Sequence, residues 1–216
     1  MTGPSKQTAN PPDTAPEQPL YRGLYRGRFA PSPTGPLHFG SVVAALASYL
    51  DARAQQGRWL LRIDDLDAAR NVPGAADGFL HDLERLGLHW DETPVLQSRH
   101  RPRYHEALDA LRTAGLAYPC GCSRKALVAG RYPGTCATGL PSGTQARALR
   151  VRTLDQIISF DDLIQGCHAQ NIHATLGDFV VLRADGAVAY HLATVIDDAA
   201  AGISRVLRGA DLLDST

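Results

Sequence analysis

Three thiols and a phenol stand close together in the middle of the chain: Cys120-Gly-Cys122, then Tyr132, then Cys136. A Cys-x-Cys pair sets two thiolates side by side in a turn. A third thiolate fourteen positions on can close a site for a tetrahedral, sulfur-preferring ion, zinc first among them. Three cysteines leave one ligand position open, with Tyr132 and solvent as the nearby oxygen donors; the nearest histidines, His105 and His168, are far off in sequence. The competing reading is three free thiols in a loop. Cys167 stands apart and reads as a small buried hydrophobe.

A second stretch suits phosphate chemistry. Arg28-Phe-Ala-Pro-Ser-Pro-Thr-Gly-Pro-Leu-His-Phe-Gly40 holds three prolines and two glycines and runs straight into the apolar stretch Ser41 to Leu50. This is a Gly/Pro-shaped loop delivering a helix N-terminus to a ligand. Such a terminus offers free backbone N–H groups and a partial positive charge, with His38 and Ser41 as further donors.

These groups need elements to hold them. Arg26 to Ala30 reads as a strand entering the loop, Phe39 to Gln56 as a helix with Val42, Val43, Leu46, Ala47 and Leu50 near helical spacing, and Gly57 as its stop. Trp59 to Ile63 is an apolar strand with Asp64-Asp-Leu-Asp67 just past its carboxyl end. Helices are predicted over 75–86 and about 101–113. Strand–helix–strand–helix order argues for an α/β fold with a parallel, doubly wound sheet and a ligand at the carboxyl ends of its strands. Residues 118–150 lose hydrophobic periodicity and gather three of the four cysteines, as an insertion stapled by something other than a core would. Asp178 to Arg183 and Val188 to Leu192 read as a hairpin turning at Asp185-Gly186, and Ile203 to Arg208 as a further strand.

Composition bounds the rest. The chain has 216 residues, 44% hydrophobic and 20% charged, with formal net charge zero, so any RNA contact must be local. No apolar run approaches the roughly 20 residues that cross a bilayer, and no basic-then-apolar leader opens the chain, so a cytoplasmic protein with no membrane partner is expected. Residues 1 to about 20, rich in Pro, Thr, Gln and Ala, read as a disordered extension.

The loop 28–40 resembles the "HIGH" loop of class I aminoacyl-tRNA synthetases in the form used by their glutamate-specific branch. Leu61-Arg-Ile-Asp-Asp-Leu-Asp67, Val188-Ala-Tyr190 and Val206-Leu-Arg-Gly-Ala-Asp211 are similar to further family segments, in the same order. The Cys-x-Cys…Tyr…Cys pattern is closest to the glutamyl-queuosine members, which hold a structural zinc with three cysteines and a tyrosine. The resemblance covers about Tyr25 to Thr216. It implies a Rossmann-like catalytic domain in two halves, 21–117 and 151–216, around a zinc-binding insertion at 118–150. It implies zinc on Cys120, Cys122, Tyr132 and Cys136, and ATP, with magnesium, against His38, Gly40 and Ser41. It implies L-glutamate held by Arg28, Phe29, Ala30, Pro31, Ser32, Asp64, Tyr190 and Arg208. The implied partner is tRNA(Asp) carrying queuosine, glutamate being activated to the adenylate without tRNA and then passed to the queuosine base by a monomeric ligase.

Physical sense supports such a pocket. A glutamate needs an acid for its ammonium and a base for its carboxylates, and arginine's planar fork binds carboxylate at two points. Taken singly, the same residues read as surface charges (Arg28, Arg208), a helix cap (Asp64) and core (Tyr190). Arg62 is expected to pair with acids, Asp197-Asp198 to build structure around the pocket, Asp65 and Asp67 to hold the loop or a magnesium ion or else to be plain strand-end acids, and His100 and His105 to lie on the surface.

Two departures stand out. The family usually has Glu where this chain has Asp64, so the acid is one methylene shorter, and either the pocket tightens or Asp65 or a water is expected to help. The family's later lysine-bearing "KMSKS" loop has no counterpart: the lysines are Lys6 and Lys125, and the chain is expected to stop short of that segment. Rival readings are a fragment of a discriminating glutamyl-tRNA synthetase and a glutamate-binding paralogue that does not activate.

Overall fold

The computed structural model describes residues 24–215, so the extension expected at 1–20 lies outside the described residues. In chain order the elements are β1 (Arg26–Phe29), α1 (Phe39–Ala54), β2 (Arg58–Ile63), α2 (Ala75–Arg85), β3 (Val95–Leu96), α3 (Arg101–Thr113), β4 (Ala117–Cys120), β5 (Ala148–Val151), β6 (Ile158–Asp162), β7 (Gly166–Gln170), α4 (Ile172–Thr175), β8 (Val180–Leu182) and α5 (Tyr190–Ala200).

β1, β2 and β3 form a parallel sheet in that order, with Arg26 opposite Arg58 and Ile63 opposite Leu96. The parallel arrangement agrees with the sequence. A second sheet, β4-β5-β8, is antiparallel, and β6 and β7 pair as a separate hairpin. That hairpin escapes sequence reasoning because Gly166 replaces the usual two-residue turn signal and its strands are mostly exposed on both faces.

Packing on the parallel sheet corrects one expectation. The apolar residues Val43, Leu46 and Leu50 of α1 are exposed, and the face against the sheet is Ala45, Ser48 and Ala52. Small residues let the helix approach closely enough for Trp59, fully buried in β2, to donate its indole N–H to Ser48 Oγ at 2.9 Å. Trp59 also stacks on Phe29 and meets Tyr49 edge-on. Leu61, Ile63, Phe79 and Leu83 complete this core. A second core joins Tyr104 and Leu108 of α3 to Leu149, Val181, Val188 and Ala193.

Two predicted strands are absent. The Asp185-Gly186 turn is present, with Gly186 at φ +81° and Arg183 N–H bonded to Ala187 O, but the return arm makes one bridge, Leu182 to Val188, and then becomes α5. Tyr190 therefore opens a helix. Its β-like neighbours mislead because α5 packs Ala193 and Thr194 inward at helical spacing. Residues 203–208 form no strand; Ser204 and Arg205 N–H both reach Arg26 O at the edge of β1, and Arg26 N–H donates to Ser204 Oγ, a side chain and no ladder partner.

Candidate functional site

The 28–40 loop is fastened to the carboxyl ends of the parallel strands. Asp64 N–H donates to Pro31 O at 2.9 Å, Val72 N–H to Pro33 O at 2.8 Å, and Thr34 N–H to Ser32 O at 2.8 Å. His38 is the N-cap of α1, and its Nδ1 accepts the Ser41 N–H at 3.2 Å. This corrects the expectation that Ser41 offers a free amide, since His38 already satisfies it. Gly40 makes the fold-over possible: a Cβ there would meet the His38 ring at 3.1 Å.

Under the loop lies a cluster of buried charges. Arg62 donates Nε to Asp64 Oδ1 at 2.7 Å and pairs with Asp198. Arg28 grips the same Asp198 through Nε and Nη2, at 3.2 and 3.0 Å. Asp197 Oδ2 accepts from Tyr104 Oη at 2.6 Å and Gln97 Nε2 at 3.0 Å, while its Oδ1 lies 2.9 Å from His100 Nδ1. Arg62 and the Asp197-Asp198 pair thus take the structural parts expected of them. His100 is drawn into the cluster and is no plain surface residue; the exposed His105 is one. Burial pushes the Asp64 carboxyl up to about 6, against the pull of the Arg62 and Arg28 guanidiniums, and its carboxylate neighbours push the Arg62 guanidinium upward.

A small cleft opens above this cluster. Ser32, Asp64, Gln97 and Tyr190 line it, with Asp67, Arg70 and Arg183 at one side. Three of the sequence-selected residues, Ser32, Asp64 and Tyr190, therefore meet. Phe29 turns its side chain into the core, so only its backbone can face a ligand. Arg28 lies one layer deeper, tied to Asp198. Arg208 acts on His191, the neighbour of Tyr190: burial and the Arg208 charge together hold that imidazole below its usual range. Asp65 takes Ser98 N–H and Oγ at 2.7 and 2.6 Å, and Asp67 binds Arg70 and Arg183, so both acids hold the frame. Gln97, Tyr104 and Arg183 reach the site from distant segments, and no local signal marks them. A larger cavity on the other side of Arg28 and Arg62 is lined by Arg26, Glu92, Arg103 and Ile203. Its cations are matched by acids, Arg26 to Glu92 and Arg103 to Asp197, so it lacks the open charge of a carboxylate or phosphate site.

The cysteine cluster forms a third centre. The ligand atoms of Cys120, Cys122 and Cys136 lie within 4.8 Å of one another. Cys122 Sγ is 3.7 Å from Cys136 Sγ, and Tyr132 Oη is 3.5 Å from Cys120 Sγ and 3.9 Å from Cys122 Sγ. All three are free thiols. A tetrahedral zinc with bonds of about 2.3 Å spaces its sulfurs about 3.8 Å apart, so the donor set fits that ion in kind and separation. Cys167 is exposed, on the outward side of β7, which corrects its reading as a buried hydrophobe.

The frame is thus a parallel sheet whose proline-rich loop leads into a helix capped by His38, above a buried acid and arginine cluster. The chain matches the family model "tRNA synthetases class I (E and Q), catalytic domain" over residues 25–142 and 141–216, and it belongs to that family. It is 55% identical over 202 residues to a glutamyl-Q tRNA(Asp) synthetase of Dechloromonas aromatica, covering 89% of this chain and 67% of that one. It is 56% identical to its counterpart in Burkholderia cenocepacia, covering 89% and 69%. A solved glutamate tRNA ligase of Elizabethkingia meningosepticum, in complex with its amino acid, superposes with TM-score 0.79 at 32% identity, over 89% of this chain and 45% of that one. The chain thus spans about two thirds of the length of those curated relatives and under half of the solved ligase. Among the described residues no helix is long and apolar enough to cross a membrane.

Proposed function

We propose that this chain carries the glutamate-activating site of a tRNA-modifying ligase. The observation that carries the reading is the meeting of Ser32, from the loop that leads into α1, with Asp64 and Tyr190 in one cleft. Asp64 takes the substrate ammonium. Tyr190 and Arg208 take a carboxylate, and the backbone of Phe29 to Ser32 lies along the amino acid. Arg28, locked to Asp198, belongs to the charge-matched floor of the pocket.

ATP lies against the helix start with His38 beside its phosphates and magnesium as counter-ion. The glutamate α-carboxylate attacks the α-phosphorus, the bond to the β-phosphate oxygen breaks, and pyrophosphate leaves. The protein aligns the two reactants and neutralises charge. The glutamyl group then passes to the queuosine base of tRNA(Asp), releasing AMP; the names of the relatives support this acceptor. Cys120, Cys122, Tyr132 and Cys136 hold a structural zinc in the 118–150 insertion. A zinc with all four positions filled by protein contributes folding energy and no open site for chemistry. The protein acts as a cytoplasmic monomer.

The test is glutamate-dependent ATP–pyrophosphate exchange without tRNA. It is run on this chain and on one lengthened by its downstream sequence to the full span of the relatives. Exchange in the longer protein is expected. Glutamate binding with no exchange in either would replace the enzyme by a non-activating glutamate binder.

A further inference from the structure

The cysteine cluster has a neighbour that the ligand set does not include. Arg150 sits in the middle of β5, the central strand of the antiparallel sheet, and is 7% exposed. Its side chain enters the cluster. Nε donates to Cys120 Sγ at 3.3 Å, the guanidinium lies 3.7 Å over the centre of the Tyr132 ring, and Nη1 donates to Asp178 O at 2.6 Å. A buried guanidinium without a carboxylate partner is costly unless something negative lies beside it. Among the described residues Arg150 has no ion pair; its neighbours are a cysteine sulfur, an aromatic face and a carbonyl.

We propose that Arg150 is the positioning residue of the metal centre: its cation offsets the excess negative charge of a three-thiolate zinc site, and its flat face holds Tyr132 at the ligand position. This rests on the zinc reading given above. The charge argument is simple. Three thiolates on a divalent ion leave the centre negative by one, and burial demands a counter-charge, which among the described residues Arg150 supplies at contact distance. Arginine suits the place for two reasons. Its planar fork can serve a sulfur and a carbonyl at once, and its face can stack on a ring. A lysine has the charge but neither the fork nor the face.

The same side chain ties the centre to the rest of the fold. Asp178, whose carbonyl it holds, accepts Tyr118 Oη at 2.6 Å and Thr153 N–H at 2.8 Å. Tyr132 N–H bonds to Leu176 O at 2.8 Å, and Gly177, at φ +66°, leaves no room for a Cβ, which would lie 2.4 Å from Tyr132 O. The ring under Arg150 is therefore clamped from its backbone side as well.

The experiment loads the whole chain with zinc alone and measures its affinity by competition with a colorimetric chelator, for wild type, Arg150→Lys and Arg150→Met. Cobalt spectra of each report the ligand field, and far-UV circular dichroism reports folding. Removing an outer-shell partner typically weakens metal binding about 10- to 100-fold, which is the loss expected for Arg150→Met, with Arg150→Lys between it and wild type. The cobalt spectra should change in both. Equal zinc affinity and unchanged cobalt spectra in the folded variants would overturn the proposal, and would leave Arg150 as packing. If Arg150→Met does not fold, Arg150→Lys alone decides on the same criteria. A wild-type chain that takes up no zinc would overturn the metal reading itself, before any variant is compared.

Discussion

The arginine–aspartate cluster beneath the cleft and the cysteine cluster beside β4 and β5 solve opposite problems. In the first, Arg28, Arg62, Asp64 and Asp198 neutralise one another through bonds within the described residues, so the floor of the cleft is set by the chain itself. In the second, three thiols and a phenol converge with one guanidinium among them and no acid. Hard charges of both signs make a self-contained scaffold. Soft donors of one kind make a socket whose order depends on a cation of the right size. The first should be indifferent to chelators; the second should lose its order to one.

The largest effect is expected at Asp64. Asp64→Asn keeps the shape but removes the charge proposed to face the ammonium. Truncating one partner of a buried charge pair costs about 2–5 kcal/mol, so calorimetry should show glutamate binding weakened on the order of 100-fold. An unchanged affinity would move the ammonium site elsewhere. Next comes Asp198→Asn, which strands Arg28 and leaves Arg62 to Asp64. Breaking a buried pair costs about 3–5 kcal/mol, and the low end is expected because the Asp198 side chain is 17% exposed. Urea denaturation measures it, and the loss should be the same with and without a zinc chelator. Chelation of the wild type should in contrast lower the melting temperature while leaving the Asp198→Asn difference intact; a chelator without effect on melting would dissolve the contrast between the two clusters.

Smaller and more diagnostic is the pH response. The Asp64 carboxyl is raised to about 6, above its ordinary 3.8, by burial. The native state therefore holds this proton more tightly than the unfolded chain. Its contribution to stability is fully present below the unfolded value and is lost as pH rises through 6. In the proposed site glutamate binding needs the carboxylate, so affinity should rise over the same interval. The two slopes oppose each other, and both should vanish in Asp64→Asn. Parallel slopes would mean another group titrates. The smallest change is Thr194→Val. Among the described residues, the buried Thr194 Oγ1 has no hydrogen-bond partner, so removing the hydroxyl should be neutral or stabilising within about 1 kcal/mol. A clear loss of glutamate affinity in that variant would show the hydroxyl serving the cleft.

The ingredients of both clusters were legible locally. The proline-rich loop, the acid after an apolar strand and the Cys-x-Cys spacing are short-range patterns, and β1, α1, β2, α2 and α3 follow from periodicity. Errors arose where a short apolar run fits two periods. Val188 to Leu192 alternates like a strand, yet Ala193 and Asp197 one turn apart bury it as a helix. On α1 the apolar positions are visible, but the buried side is the small-residue face.

Which chemical groups are present, and which short segments carry them, can be read along the chain, because turn chemistry, capping and metal-ligand spacing are properties of neighbouring residues. Which charges cancel is settled in three dimensions. Asp197 and Asp198 stand side by side in the chain, yet one turns to Tyr104, Gln97 and His100 and the other to Arg28 and Arg62. Arg150 meets Cys120 across thirty positions. A charge in water has no reason to choose a partner; one taken out of water must find one at contact distance, and the fold alone sets who is there.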